Sequence, residues 1–172
     1  AQSVYYLFAW LRLKPECRTK TTFVVPTGNF GNVFAGWLLT KMGIEIAEFR
    51  VATNQNDVLH QLFKTGEYAS SSVRPSLAPS MDIQVASNFE RLLYNLYDND
   101  SSLLAKNMRA FPEKSIDIPD SKIGVVSNFF KSYCSNDQEI IKQIINTHQK
   151  IGYLIDPHTA CLLYTSDAAD DV

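Results

Sequence analysis

The residues best suited to chemistry in this 172-residue chain lie in the run Phe23-Val24-Val25-Pro26-Thr27-Gly28-Asn29-Phe30-Gly31-Asn32. A β-branched apolar stretch ends at Pro26-Thr27-Gly28 and passes at once into an apolar helical pattern, so the order predicted is strand, short loop, helix N-terminus. Such a junction can cradle an anion. The first N–H groups of a helix have no intrahelical acceptor, and the helix dipole adds positive potential. Gly28 and Gly31 carry no Cβ, which permits positive φ and a close approach of the main chain to a ligand. Asn29 and Asn32 offer carboxamide donors that bring no charge. Phe30 contributes its amide, with its ring expected in the core beneath the loop. No Gly-Lys-Ser/Thr follows and the spacing is not Gly-x-Gly-x-x-Gly, so the loop is sized for one phosphate. On pattern alone, the same residues also serve simply to reverse the chain between strand and helix.

The elements around this loop set where a ligand sits. A helix over Asn32–Met42 stops at Gly43, a suitable left-handed cap, and Ile46–Ala52 reads as the returning strand. Strand, helix, strand at this spacing is a βαβ unit with parallel strands, and ligands of open parallel sheets lie beyond the carboxyl ends of the strands. Asn54 falls at such an end and is a site candidate. Its neighbour Asn56 or Asp57, more so Asp57, reads as the cap of a helix running to Lys64, closed by Gly66. Residues 67–79 read as a Ser- and Pro-rich loop. Ser80 and Asp82 are rim candidates, though Ser80 equally suits a capping role.

Ser87-Asn88-Phe89-Glu90 has the form of a capping box and opens a helix to about Tyr97, with Leu92, Leu93 and Leu96 on its apolar face. Asn88 and Arg91 in its first turns can face an anionic substrate group, or can sit on a solvated helix face. Asp137–Lys150 reads as an amphipathic helix with Ile140, Ile141, Ile144 and Ile145 as its stripe, and His148 complements the dipole of its last turn. Tyr153-Leu154-Ile155 reads as a short strand, after which Asp156 caps a helix opened by Pro157. His158 in that turn invites a general-base reading; with no partner visible, structural positioning is the favoured account.

Composition excludes several classes. Lysine plus arginine number 16 against 18 acidic residues, a formal net charge of −2, which offers no basic surface for nucleic acid or an anionic membrane. No apolar run approaches the ~20 residues needed to span a bilayer. Val4–Leu13 lacks the flanks of a signal peptide and reads as a helix buried nearly all round. Three widely spaced cysteines have no metal-ligand spacing, so no metal site is expected, and a reduced cytoplasmic setting fits them.

Val25-Pro26-Thr27-Gly28-Asn29-Phe30-Gly31-Asn32 resembles the phosphate-binding loop of threonine synthases, pyridoxal-phosphate enzymes of fold type II. The likeness continues through Ala35-Gly36, Lys41-Met42-Gly43, Ala52-Thr53-Asn54-Gln55-Asn56-Asp57 and Phe63-Lys64-Thr65-Gly66-Glu67-Tyr68. It extends to Ala78-Pro79-Ser80-Met81-Asp82-Ile83, Ser87-Asn88-Phe89-Glu90-Arg91-Leu92-Leu93 and Asp156-Pro157-His158-Thr159-Ala160. Ala1-Gln2-Ser3-Val4-Tyr5-Tyr6 fits the helix before the loop. The resemblance implies an α/β fold with a partly parallel sheet flanked by helices, a fragment of a tryptophan synthase β-like enzyme.

It also implies a division of the chain: residues 1–165 form part of the catalytic region, with a variable insertion at about 98–136. Residues 166–172 form a tail unlike the family. The implied cofactor is pyridoxal 5'-phosphate, held through Gly28, Asn29, Phe30, Gly31 and Asn32. Asn54, Ser80, Asp82, Asn88, Arg91 and His158 are candidates on the substrate side. The implied reaction converts O-phosphohomoserine and water to threonine and phosphate, in a monomer or homodimer. The family's Schiff-base lysine lies upstream of this loop, and none of the ten lysines here carries that motif. Two alternatives remain open at this stage: a related phospho-amino-acid lyase releasing 2-oxobutyrate, and a non-catalytic binding domain on the same scaffold. A parallel sheet cut from its neighbours exposes strand edges, so poor solubility is expected when the chain is expressed alone.

Overall fold

A computed structural model describes residues 1–111 and 113–170; positions 171 and 172, part of the expected tail, lie outside the described residues. In chain order the elements are α1 (Ser3–Arg12), α2 (Pro15–Arg18), β1 (Thr22–Pro26), α3 (Gly31–Lys41), β2 (Glu48–Thr53), α4 (Val58–Thr65) and β3 (Glu67–Tyr68). There follow α5 (Phe89–Leu96), α6 (Ser101–Ala110), β4 (Ile116–Asp117), α7 (Asp120–Phe129), β5 (Phe130–Cys134), α8 (Asp137–Ile151) and α9 (Pro157–Asp170). A 3₁₀ turn spans Pro79–Met81.

The expected βαβ unit is present, with Thr22 opposite Glu48 and Pro26 opposite Ala52 in parallel register. A third parallel strand, β5, pairs with the other edge of β2, so the order is β1-β2-β5. All three strands therefore end on one rim. Pro26 leads to the Gly28–Gly31 loop, Thr53 to Asn54, and Cys134 to Ser135. Cross-bonds tie these exits together: Thr27 N–H donates to Ala52 O at 2.8 Å and Ser135 N–H to Thr53 O at 3.0 Å.

The core lies between the sheet and its helices. The rings of Phe30, Phe63, Phe89 and Phe130 meet at centroid distances of 5.3 to 6.4 Å, joining the loop, α4, α5 and β5. Aromatic pairs at this spacing contribute beyond their buried area. Helix α3 sits close to the sheet because Gly36 faces it: a Cβ there would lie 2.6 Å from Phe49 Cε1 and 2.9 Å from Tyr6 Cε1. Met81, Ile140, Ile155, Ala160 and Cys161 form a second, smaller cluster under α8 and α9. Helix α9 packs on α8 and against all three parallel strands.

Several local expectations are corrected. Helix α1 is not buried all round: Tyr6 faces the core while Val4, Tyr5, Phe8 and Leu11 are exposed. An apolar helix reads as buried only if a neighbour covers each side, and α1 is covered on one. Ser87 opens no capping box; α5 begins after Asn88, which makes no side-chain cap. Asp57 stands at the start of α4 without capping it, because its carboxylate accepts from Gln61 Nε2 at 2.6 Å instead. Tyr153-Leu154-Ile155 forms no strand.

Residues 67–79 are not wholly loop, since Glu67–Tyr68 pair antiparallel with Ile116–Asp117. The weakly patterned stretch 98–136 holds α6, β4, α7 and β5, the last of them a strand of the main sheet. On α8 only Ile140 and Ile144 pack inward, and Ile141 and Ile145 are exposed. Residues 166–170 continue α9 to Asp170, with Asp167 accepting from Gln143 of α8 at 3.2 Å. The capping glycines are as expected, with φ of 88° at Gly43 and 81° at Gly66.

Candidate cofactor-phosphate site

The loop after β1 opens into a cavity of about 240 Å³ lined by Gln2, Pro26, Thr27, Gly28, Asn29, Phe30, Gly31, Asn32 and Asn88. No charged side chain is among the lining residues. The main-chain N–H groups of the lining residues Gly28, Asn29, Phe30, Gly31 and Asn32, and that of Val33 after them, have no hydrogen-bond acceptor among the described residues, whereas Thr27 N–H before them and Phe34 N–H after them are paired. Helix α3 begins at Gly31, so its positive end adds to these donors.

The backbone takes this shape in an unexpected way. The left-handed residue is Phe30, at φ 65°, not Gly28 or Gly31. A phenylalanine tolerates that conformation only where its surroundings hold it, and its ring is 1 % exposed among three other phenylalanines. The two glycines are required for space. A Cβ on Gly28 would stand 2.8 Å from Ile83 Cδ1 and 2.9 Å from Ser80 O; one on Gly31 would stand 2.9 Å from Asn88 Nδ2.

Neighbouring side chains orient the two asparagines. The Tyr6 hydroxyl donates to Asn32 Oδ1 at 2.7 Å, and burial raises the Tyr6 phenol above its ordinary pKa, so it remains a donor. The Ser87 hydroxyl donates to Asn29 Oδ1 at 3.2 Å, while Asn88 N–H donates to Asn29 O at 3.1 Å. With both carboxamide oxygens occupied, Nδ2 of Asn29 and of Asn32 has no acceptor among the described residues. Sequence reasoning passed over Tyr6, Gln2, Ser87 and Ile83 here. Tyr6 sits 26 residues from Asn32, and nothing in local spacing announces the contact.

The remaining candidates divide. Asn88 joins the loop at the cavity wall. Arg91, one turn further along α5, lines a different groove between α5 and α6, with Phe34, Tyr94, Leu104 and Met108. Asn54 is 0 % exposed and its groups are all engaged. Its Nδ2 donates to Asp82 Oδ1 at 2.6 Å, to Ser76 Oγ at 2.7 Å and to Ala78 O at 3.2 Å, and its Oδ1 accepts from Asn56 N–H at 2.9 Å.

Asp82 also accepts from Asn56 Nδ2 at 2.9 Å, from Ser76 Oγ at 2.6 Å and from Ser76 N–H at 3.0 Å. Burial works against ionisation of Asp82, but the bonds from Ser76, Asn54 and Asn56 outweigh it and hold the carboxyl below its usual range.

Ser80 donates its N–H to His158 Nε2 at 3.3 Å, and His158 Nδ1 lies 3.1 Å from Asp156 Oδ1. With Nε2 accepting, the ring proton sits on Nδ1 and points to Asp156. Both ring nitrogens of His158 are thus occupied, Nε2 joining α9 to the Pro79–Met81 turn and Nδ1 held by Asp156 at the start of α9.

No family model matches the chain. The threonine synthase of Pseudomonas aeruginosa is 40% identical over 161 residues, a match covering 93% of this chain and 34% of the relative. Among solved structures, the PLP-bound threonine synthase of Brucella melitensis superposes with a TM-score of 0.90 at 35% identity, over 97% of this chain and 36% of that one. Yeast threonine synthase superposes with a TM-score of 0.89 at 30% identity, over 99% of this chain and 37% of that one. The chain spans about a third of the length of the curated relatives it matches. By sequence and by fold, this chain is similar to a stretch of about a third of the length of threonine synthases.

Proposed function

We propose that this chain forms the cofactor-phosphate cradle of a pyridoxal 5'-phosphate enzyme that converts O-phosphohomoserine and water to threonine and phosphate. The observation that carries the reading is the run of unpaired main-chain N–H groups on the five residues Gly28 to Asn32, which line a neutral cavity at the start of α3. A phosphate monoester presents several acceptor oxygens and up to two negative charges. Main-chain amides, two oriented carboxamides and a helix N-terminus supply donors and positive potential without a fixed cation. Gln2 and Asn88 add polar side chains to the same wall. Ile83 and Ser80 fill the space beside Gly28, and Asn88, at the cavity wall, closes on Gly31.

Bound there, the cofactor would supply an electron sink for carbanions at the substrate's carbons. The residues of this chain grip and orient. Amides of the loop hold the phosphate, Tyr6 and Ser87 keep the Asn32 and Asn29 carboxamides turned as donors, and Phe30 locks the loop to the core. Ser80, Asp82, Asn54 and His158 hold the wall behind the loop. The relation to a PLP-bound threonine synthase supports the choice of cofactor. Three free cysteines support a cytoplasmic setting, and among the described residues no helix is long and apolar enough to cross a membrane. We place the enzyme as a monomer or homodimer acting on a small molecule.

The test is made in the full polypeptide carrying this sequence. Gly31→Val is expected to abolish pyridoxal 5'-phosphate binding at concentrations that saturate the parent. Unchanged binding would remove the cradle. Product analysis with O-phosphohomoserine is expected to give threonine; 2-oxobutyrate instead would keep the cofactor and assign a lyase.

A further inference from the structure

We propose that Asp82 is a positioning residue of the phosphate cradle, fixing the 76–83 segment as a wall against which the Gly28 turn is pressed. The proposal rests on the cofactor reading above and adds a part that the loop itself does not contain.

The geometry is specific. Asp82 Oδ1 accepts from Asn54 Nδ2, Asn56 Nδ2 and Ser76 Oγ at 2.6, 2.9 and 2.6 Å, and Oδ2 accepts from Ser76 N–H at 3.0 Å. Asn54 and Asn56 follow the carboxyl end of β2, and Ser76 lies on the incoming arm of the segment. One carboxylate therefore ties both arms of a loop with little secondary structure of its own to the rim of the sheet. Asn56 extends the clasp further out, donating to Arg74 O at 2.8 Å and accepting from Arg74 N–H at 2.8 Å. His158 accepts from Ser80 N–H and anchors the turn from the side of α9.

The clasped segment ends against the cradle. Ser80 O and Ile83 Cδ1 leave no room for even a methyl on Gly28, and Met81 Cα lies 3.4 Å from the same point. The unpaired amides begin at Gly28, so the wall fixes the first of them. A carboxylate suits this task because it is acceptor-only and meets four donors at once. An amide of the same shape would present N–H₂ to some of them. Charge-assisted bonds are also the stronger kind.

The experiment compares the affinity of the full polypeptide for pyridoxal 5'-phosphate with its affinity for pyridoxal, which lacks the phosphate. The parent is expected to prefer the phosphorylated form strongly. Asp82→Asn is expected to reduce that preference by about tenfold or more, the scale of one lost charge-assisted hydrogen bond, while pyridoxal binding is retained. Ser76→Ala removes a single donor and is expected to lower the preference in the same direction by less; it decides the matter if Asp82→Asn does not fold. An unchanged preference in the variants, or an equal loss of both ligands, overturns the positioning role. A parent with no preference for the phosphorylated form overturns the cradle itself, and the proposal with it.

Discussion

The hydroxyl of Tyr6 and the carboxamide oxygen of Asn32, 26 positions apart in sequence, meet at 2.7 Å and tie α1 to the first turn of α3. This bond decides which end of the Asn32 amide faces away from the protein. Tyr6→Phe is therefore expected to cost about 1 kcal/mol of stability, the usual net value of one buried hydrogen bond. It should also weaken pyridoxal 5'-phosphate binding by roughly fivefold in the full polypeptide. Urea unfolding and a cofactor titration check the two parts separately.

The two loop glycines differ in what a methyl group would strike. At Gly28 it would meet a main-chain oxygen, Ser80 O, at 2.9 Å; at Gly31 it would meet the tip of a side chain, Asn88 Nδ2, at the same distance. A carboxamide can turn aside where a backbone cannot. Gly28→Ala is expected to fall at the upper end of the ~1–3 kcal/mol typical of overpacking, and Gly31→Ala at the lower end. Melting temperatures of the two variants in reverse order would contradict this account of the loop.

Asp156 makes the start of α9 acid-sensitive. The Thr159 hydroxyl is the largest cause of its depressed pKa. The N–H groups of Thr159 and His158 and the His158 ring add to it against a partial desolvation cost, and together they hold the carboxyl at about 2. A folded-state pKa below the unfolded value of about 3.9 means that the stabilisation is complete above about pH 4 and disappears as pH falls through about 2. Asp156→Asn is expected to be less stable than the parent near neutral pH and to converge with it at about pH 2. Parallel stability curves across that range would show that the ionised form has no special role.

None of the chain's ten lysines is among the residues lining the cradle cavity. Borohydride reduction of the cofactor-loaded full polypeptide, followed by peptide mapping, is expected to place the pyridoxyl label on none of them. A stoichiometric label on Lys14, Lys20 or Lys41 would reassign the chemistry to this chain.

Expressed alone, the 172-residue chain is expected to associate. Val4, Tyr5, Phe8 and Leu11 form an exposed apolar face on α1, and β1 has one unpaired edge in the three-stranded sheet. Unpaired edges and apolar patches of this kind drive association. A monodisperse monomer in light scattering would argue against it.

Local order was legible wherever neighbouring residues in the chain decide it. The β-branched apolar run ending at Pro26, the apolar run after Gly31, the left-handed caps at Gly43 and Gly66 and the capping role of Asp156 all follow from short-range sterics and hydrogen bonding. These also single out Gly28–Asn32 as the candidate anion loop, because the pattern and the donors lie within a few residues. What only the folded chain decided is where long-range partners stand. Strand β5 lay hidden in a polar stretch because its pairing with β2 joins residues 81 positions apart, from Phe49 to Phe130. The left-handed residue proved to be Phe30, since burial among Phe63, Phe89 and Phe130 outweighs the local preference for glycine. Gly28 and Gly31 are small because Ile83, Ser80 and Asn88 come up behind them. Contacts over such distances depend on how layers pack, a property of the whole core that no local window of sequence contains.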